Sequence, residues 1–543
     1  MSQVVLISLY DEFCLGPRYI ASFLRHAGHR VDQVLFKHCH AAYDVPKEKN
    51  DPGDYLEHFY ASMKEIELLQ NFIKQKKPLW IGFSFMSVSS GLAEELTRRI
   101  REITGVPIVW GGVDTTVNPD WAIEHADIVC LGEGEHAALE LTEALEGKRD
   151  LLSIQNLWIR RNGAIVKNDI RPLIQELDRL PYPNFMESTI WHIDHDVMRQ
   201  GVLPDCSPLN PWYIVMASRG CPYRCSYCVH SVNHDLAKGK GKYLRRRSVK
   251  NVIDELAAYK KKKPDTSQIM FYDDVFTFDR KWIAEFADAY KREIDIPFWV
   301  YTYPELCDAE ILERLRDIGL IYVHIGIQSG SEEFLRETYN RRLSTKKVLK
   351  AADLLKPLGI YAIYDMLVSI PLETEDRLRE SLHLLLKLPQ PFGLNVWPTL
   401  YYHNYKITKQ LKNSAFAGDV VQVKGTHVDL YPSESPYLRF WLVMLRLTRY
   451  PQIPRDSFAA LLENEALRND PTPLEIMEKA LFQAVFVHNS EFLHKDTQIE
   501  QLYADISTLK WENEQLRNRK IIKLQSKIRQ VLQWPQKAAS TDK

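Results

Sequence analysis

The first 150 residues alternate almost uninterrupted apolar runs with amphipathic stretches. Residues 4–10 (VVLISLY), 79–85 (LWIGFSF), 106–112 (VPIVWGG) and 126–132 (ADIVCLG) read as strands covered on both faces. Residues 16–29, 90–105 and 136–147 space their apolar positions as helices do. Together they predict an α/β fold that begins with a Rossmann-like, doubly wound parallel sheet over 1–150. An insert at 37–77 is polar and then helical, and 151–205, with its prolines (LDRLPYPNF), carries little periodicity and reads as a connector. Alternation returns over 206–402, with strands expected at 212–218, 268–274, 297–303, 321–327, 361–370 and 393–400. Six βα units in that length predict a partial (β/α)6 barrel whose ligands sit at the strands' C-terminal ends. Residues 403–490 read as a mostly helical domain and 491–543 as an amphipathic helix and tail. In that tail Ile499, Leu502, Ile506, Leu509 and Leu516 form a heptad seam with Asn513 in one core slot. The seam slips by one residue and continues through Ile521, Leu524, Ile528 and Val531. It predicts either a coiled coil that makes a homo-oligomer or one helix packed on its own domain.

Composition narrows the class. A chain of 543 residues needs two to four domains, and 45% hydrophobic with 26% charged residues is ordinary globular usage. A net charge of −1 supplies no field for nucleic acid or anionic lipid. The start lacks a signal peptide's basic segment and long apolar run, and Arg439 and Arg446 interrupt the longest apolar stretch, at 437–447, so no membrane span is expected. A cytoplasmic protein acting on a small molecule is the expectation. Eight cysteines in such a length do not make a disulfide scaffold, but three of them cluster.

Those three stand in RGCPYRCSYC, residues 219–228, as Cys221, Cys225 and Cys228, directly after an expected strand. The C-x3-C-x2-C spacing can wrap three thiolates around one small inorganic body. An iron–sulfur cubane held by three thiolates keeps one iron open, which a catalyst needs. The alternative is structural zinc with His230 as fourth ligand, although one residue between Cys228 and His230 is tight for one tetrahedron.

This motif, with Tyr227 as the aromatic before the last cysteine, resembles the radical S-adenosylmethionine (SAM) family over about residues 206–400. The resemblance implies that Cys221, Cys225 and Cys228 hold a [4Fe–4S] cluster. The open iron would chelate SAM, and one electron would cleave it to a 5′-deoxyadenosyl radical. It further implies SAM contacts from Asp273 and Asp274 in FYDDVFTFD and from Gln328 and Ser329 in HIGIQSGSEEFL, with Arg341 at a frequent arginine position. An external electron donor of the flavodoxin or ferredoxin type is implied as well. Ser369 and Leu372 replace two glycines of the family's G-x-P-G-E-T ending. The basic run at 238–250 reads as a solvated loop, with a grip on a substrate phosphate as the alternative.

The first domain resembles cobalamin (B12)-binding domains, which carry D-x-H-x-x-G, then S-x-L, then a G-G pair. Here these are DEFCLG from Asp11 to Gly16, SFM from Ser84, and Gly111–Gly112, followed by LGEGE with Gly132 and Glu133. Phe13 stands where the family's cobalt-ligating His would be. Either cobalamin binds with that face unligated, or the domain has lost it. A second cluster on Cys14, Cys39 and Cys130, as in methylthiotransferases, lacks that family's surrounding patterns. The joint resemblance implies a cobalamin-dependent radical SAM methyltransferase acting on an unactivated carbon. The alternatives are a cyclase or rearrangement enzyme, a cobalamin-independent radical SAM enzyme, and a non-catalytic sensor.

Overall fold

The structure, a computed structural model, describes residues 1–11, 13–37, 61–183, 187–201, 212–402, 404–415, 421–422, 427–429 and 435–490. The heptad seam, Cys39 and Cys206 lie outside the described residues. The chain divides into two compact units, Met1–Cys206 with Trp212–Glu475, and Ile476–Lys543 with Ser207–Pro211. Both α/β sheets belong to the first. The described part of the second, through Ser490, is helical.

The N-terminal sheet is built from β1 (Gln3–Leu9), α1 (Leu15–His26), β2 (Arg30–Phe36), α2 (Met63–Lys76), β3 (Trp80–Ser84), α3 (Ser90–Arg101), β4 (Ile108–Gly111), α4 (Val113–Val117), α5 (Pro119–His125), β5 (Ile128–Cys130) and α6 (Glu135–Leu145). Hairpins β6 (Leu157–Arg161) with β7 (Ala164–Lys167) and β8 (Ile190–Asp194) with β9 (Val197–Gln200) complete it. Strand order is β7-β6-β5-β4-β3-β1-β2-β8-β9. The six strands from β5 to β8 run parallel, and β6, β7 and β9 pair antiparallel at the edges. Order reverses between β1 and β3, which opens a crevice at their C-terminal ends.

Two parts of this sheet are not visible in the periodicity. β2 reads RVDQVLF, and its Asp32 is buried because Gln3 Nε2 and Trp191 Nε1 each donate to it at 2.9 Å while Lys76 Nζ lies 3.0 Å away. The stretch 151–205, expected as a connector, contributes the four strands β6 to β9.

The second sheet is the expected partial barrel. Its elements are β10 (Trp212–Val215), β11 (Ser218–Arg219), α7 (His230–Leu236), β12 (Arg245–Arg246), α8 (Val249–Lys262), β13 (Gln268–Phe271), α9 (Arg280–Glu293), β14 (Phe298–Thr302), α10 (Ala309–Asp317), β15 (Leu320–Gln328), α11 (Glu332–Glu337), α12 (Thr345–Leu355), β16 (Tyr361–Val368), α13 (Glu375–Leu385) and β17 (Gly393–Pro398). Six parallel strands follow the order β10-β13-β14-β15-β16-β17, with β10 and β17 at the free edges. Alternate residues face the outer helices and are fully buried, as Tyr213, Phe271, Phe298, Ile325, Tyr364 and Val396 are. The others face the barrel's hollow side. Helix starts are fixed by side-chain caps: Asp279 accepts the Lys281 and Trp282 amides at 3.1 Å, and Ser248 accepts Asn251 N–H at 3.1 Å.

In the basic run Lys238, Lys242 and Lys250 are exposed, as the solvated reading expects, but the three arginines depart from it. Arg245 and Arg247 are buried and Arg246 nearly so. Arg246 packs its guanidinium on Phe278 and Trp282, and burial lowers its pKa to about 10. Arg247 Nη2 lies 2.5 Å from Glu255, which also accepts Tyr213 O–H at 2.7 Å.

Beyond the barrel come β18 (Tyr401–Tyr402), α14 (Lys406–Lys412), β19 (Val421–Gln422) and β20 (His427–Asp429), then α15 (Pro436–Leu447), α16 (Ser457–Leu462), α17 (Glu465–Asn469) and α18 (Thr472–Ser490). The expected helices are accompanied by a small antiparallel sheet, β18-β20-β19. The apolar stretch at 437–447 is α15, whose Phe440, Trp441 and Met444 are fully buried. Arg446 and Arg449 donate to the Val396 and Leu394 carbonyls of edge strand β17 at 3.1 and 3.2 Å. No helix among the described residues is long and apolar enough to cross a membrane.

Arg247→Leu leaves buried Glu255 without its cation, with Tyr213 O–H as remaining partner. It is expected to lower unfolding free energy by about 3 kcal/mol, read from denaturant melts, with Glu255→Gln in the same chain restoring part of the loss.

Candidate active site

The crevice between β1 and β3 leads into a cavity of about 270 Å³. Its depth is apolar, with Leu6, Trp80, Val109, Leu141 and Leu157, and its mouth is lined by Gly16, Ser84, Gly111, Gly112, Gly132 and Glu133. Glycine is required at particular places here. Gly112 has φ +97°, and a Cβ on it would stand 2.9 Å from Ser84 Oγ. A Cβ on Gly134 would stand 3.0 Å from Ile20, whereas Gly16 faces open space with nothing within 4 Å. A broad flat ligand with a buried tail fits such a cradle, because backbone rather than side chain forms its rim. Six of the eight residues expected to hold cobalamin therefore surround one cavity.

The other two, Asp11 and Phe13, lie in the loop before α1. Asp11 accepts Phe13 N–H at 3.1 Å. Phe13 packs its ring 4.8 Å from that of Trp212 and joins a cluster of Leu15, Tyr19, Ile214, Met270 and Trp299, so this loop grips the barrel. Cys14 lies 3.6 Å from Ser84 Oγ, and burial raises its pKa. Cys130 lines the cavity with its thiol raised to about 12 by burial.

Met216 and Arg219 of the barrel side complete the cavity wall. Arg219 donates to Glu133 at 3.0 Å and to Glu135 at 2.5 Å, and Arg245 donates to Glu133 at 2.8 Å. Burial opposes the charge on Arg219, but Glu135 and Glu133 outweigh it and hold the guanidinium above its ordinary range. Two residues later comes Cys221. The cysteine loop is pinned by Ser226 N–H to Tyr339 O at 2.9 Å, by Asn340 Nδ2 to Arg224 O at 2.9 Å and by Ile407 N–H to Ser226 O at 3.1 Å. Burial raises the Cys221 and Cys228 thiols to about 12. Arg341, itself buried, stands 3.6 Å from Cys225 Sγ and 3.4 Å from Tyr227 O–H, with its guanidinium over the Tyr303 ring.

The zinc alternative finds no support. Both ring nitrogens of His230 are engaged, Nδ1 with Tyr243 O–H at 2.6 Å and Nε2 with Asp274 at 2.7 Å. Among the described residues no three His, Cys, Asp or Glu side chains converge as ligands of one ion.

The expected SAM contacts divide into two pairs. Asp274, besides its bond to His230, is exposed at the end of β13, and Gln328 is half-buried at the end of β15 with φ +75°. Asp273 and Ser329 are hydrogen-bonded within the protein. Asp273 is 0% exposed, accepts Ala217 N–H at 3.0 Å and also accepts Ser218 O–H, and burial raises its pKa. Ser329 donates to Glu373 at 2.8 Å and accepts Ser331 N–H at 3.2 Å. Burial lifts Glu373 to about 7. Sequence reading missed Glu373, Arg219 and Arg245. The charge of the latter two in LRRR and RGCP was visible, but not their partners.

The radical SAM superfamily model matches residues 215–385 and the B12-binding domain model residues 2–142. The chain is a radical SAM protein with an N-terminal B12-binding domain, which implies a [4Fe–4S] cluster, SAM and cobalamin as its cofactors. It is 26% identical over 352 residues to an uncharacterized methyltransferase of Pyrococcus horikoshii, a match that spans 61% of this chain and 70% of the relative. In fold it is similar to the radical SAM methyltransferase TsrM of Kitasatospora setae, solved with tryptophan substrate and a SAM analogue (TM-score 0.59, 16% identity, 78% of this chain and 80% of that one). It is also similar in fold to the cobalamin-dependent SAM radical enzyme OxsB, solved with aqua-cobalamin and SAM (TM-score 0.62, 15% identity, 98% and 84%).

Gly112→Val fills the cavity mouth from a backbone conformation that side chains rarely adopt. Cobalamin retained after anaerobic reconstitution and desalting is expected to fall at least about tenfold, with iron content unchanged.

Proposed function

We infer that the protein is a cobalamin-dependent radical SAM methyltransferase that acts on an unactivated carbon of a small molecule and draws its electron from an external flavodoxin- or ferredoxin-type donor. One observation carries this reading: Met216 and Arg219 line the glycine-rimmed cavity while their strand and turn run directly into Cys221. A single short segment thus serves both cofactor sites. The relatives named as methyltransferases support the reaction class.

When bound, the cluster and SAM supply a radical that takes a hydrogen atom from an inert carbon, and cobalamin supplies a carrier for the methyl group. The chain's own residues provide place and exclusion. Cys221, Cys225 and Cys228 would hold the cluster, and Arg341 sets a permanent positive charge beside Cys225. Asp274, held by His230, and Gln328 are the polar groups on which SAM would rest. Gly16, Gly111, Gly112 and Gly132 would let the corrin and its tail approach backbone, and Phe13 offers cobalt no ligand. The retained cavity supports bound cobalamin over a relict domain. Aromatic side chains on the hollow side of β13 to β15 keep water from the reacting carbon. A general base is not needed for hydrogen-atom abstraction.

Replacing Cys221, Cys225 and Cys228 by Ala is expected to remove bound iron and lower dithionite-driven 5′-deoxyadenosine formation below detection. Undiminished formation would overturn the reading. With methyl-labelled SAM, the parent protein is expected to load label onto reduced cobalamin.

A further inference from the structure

The hollow side of the barrel is the face on which the radical SAM reading above, on which this inference rests, would place a substrate. Inward positions are Trp212 and Ile214 on β10, Met270 on β13, Trp299 and Tyr301 on β14, and Tyr322, His324 and Gln328 on β15. β16 and β17 add Ile363, Asp365, Leu367, Asn395 and Trp397. The lower part of this face is filled, since Leu15 and Tyr19 of α1 pack on Ile214, Met270 and Trp299. Toward the C-terminal ends it is open: Tyr272 is 51% and Trp397 49% exposed, and His324, Asp365 and Asn395 are partly so.

Two features define the open part. The first is an aromatic wall. It rises from the filled floor, where buried Trp299 stacks on Tyr322 at 4.9 Å, and His324 lies 5.0 Å from the rings of both Trp299 and Tyr301. Tyr272 continues the wall 5.8 Å from Tyr301. The second is a fixed carboxylate. Register sets Asp365 opposite Asn395, whose Nδ2 donates to Asp365 Oδ1 at 2.8 Å. Asp365 Oδ2 stands 3.9 Å from His324 Nδ1. Asn395 orients the carboxylate without neutralising it, and the other oxygen faces the wall. No Lys or Arg occupies an inward position on the six strands. The arginine that reaches this face comes from outside the strands: Arg341 donates to Gly326 O on β15 while it stands against Cys225 and Tyr227.

From these contacts we propose that Asp365, held by Asn395 and flanked by His324, receives a protonated nitrogen of the substrate, whose unsaturated or planar body lies against Tyr301, Tyr272 and Trp397. A cation gains twice in such a place, from the carboxylate at reduced dielectric and from the ring faces. Asp365 is thus a specificity-determining residue, and the substrate class is an amine-bearing ring compound rather than an acidic one.

The test uses one body with three charges: 2-naphthylmethylamine, 2-naphthalenemethanol and 2-naphthylacetate. Binding to the anaerobic holoprotein, loaded with cluster, cobalamin and SAM, is measured by equilibrium dialysis. The amine is expected to bind at least about tenfold tighter than the acetate. Asp365→Asn, close in shape and able to keep a bond to Asn395, is expected to erase that preference while the alcohol shifts less than about threefold. Iron content and a cooperative melt establish that the variant is folded. Trp397→Leu provides a second reading, with all three probes weakened and the charge preference kept. Equal binding of the three, preference for the acetate, binding of none, or an unchanged preference in Asp365→Asn would overturn the proposal. The parent protein's 5′-deoxyadenosine formation separates the two inferences: its presence with charge-blind binding sinks this proposal alone, and its absence sinks both.

Discussion

The arrangement depends on one shared cation. Arg219 reaches from the turn before the cysteine loop to Glu133 and Glu135 at the end of the N-terminal sheet. All three side chains are largely shielded from water, so the ion pair is strong only while its geometry holds. Losing any member would leave a charge uncompensated at the junction of two α/β sheets. Arg245 joins from β12, so the clamp ties three separate segments together. It also places a cavity wall and the first cysteine within three residues of each other.

The clamp makes sense of the unusual burial around it. Side chains that look like ligands by motif position are used to stiffen the frame. Asp273 locks the backbone at Ala217 and Ser218 just ahead of the cysteine loop. Ser329 and Glu373 tie β15 to the turn after β16, where Glu373 also accepts Ser369 N–H at 3.1 Å. That tie occupies the place where glycines are missing from the usual ending: Ser369 contributes its amide and also meets Tyr339 O–H at 2.5 Å. Asp274, Gln328 and Asp365 then stand on rigid strand ends, which positional chemistry requires.

Much of this was legible in the chain. Continuous apolar runs announced the parallel strands. Glycines at 16, 111, 112 and 132 marked a backbone cradle before any cavity was seen. What stayed hidden depends on distant partners. β2 contains Asp32, and only Gln3, Trp191 and Lys76 make that residue compatible with a buried strand. The arginines at 245–247 looked solvated because charge shows in sequence while the acids and rings that receive it do not. Asp273 and Asp274 are neighbours in one motif, yet the alternation of a strand end turns one into the frame and the other into the cleft.

The most direct test of the account is an electron paramagnetic resonance spectrum of the anaerobic protein carrying cob(II)alamin and a reduced cluster. About one cobalamin and about four irons per chain are expected, with a cobalt signal free of nitrogen splitting, because the tail's base would lie in the cavity and Phe13 offers no imidazole, and a cluster signal that changes when SAM is added. Nitrogen-split cobalt, or a cluster signal indifferent to SAM, would contradict it.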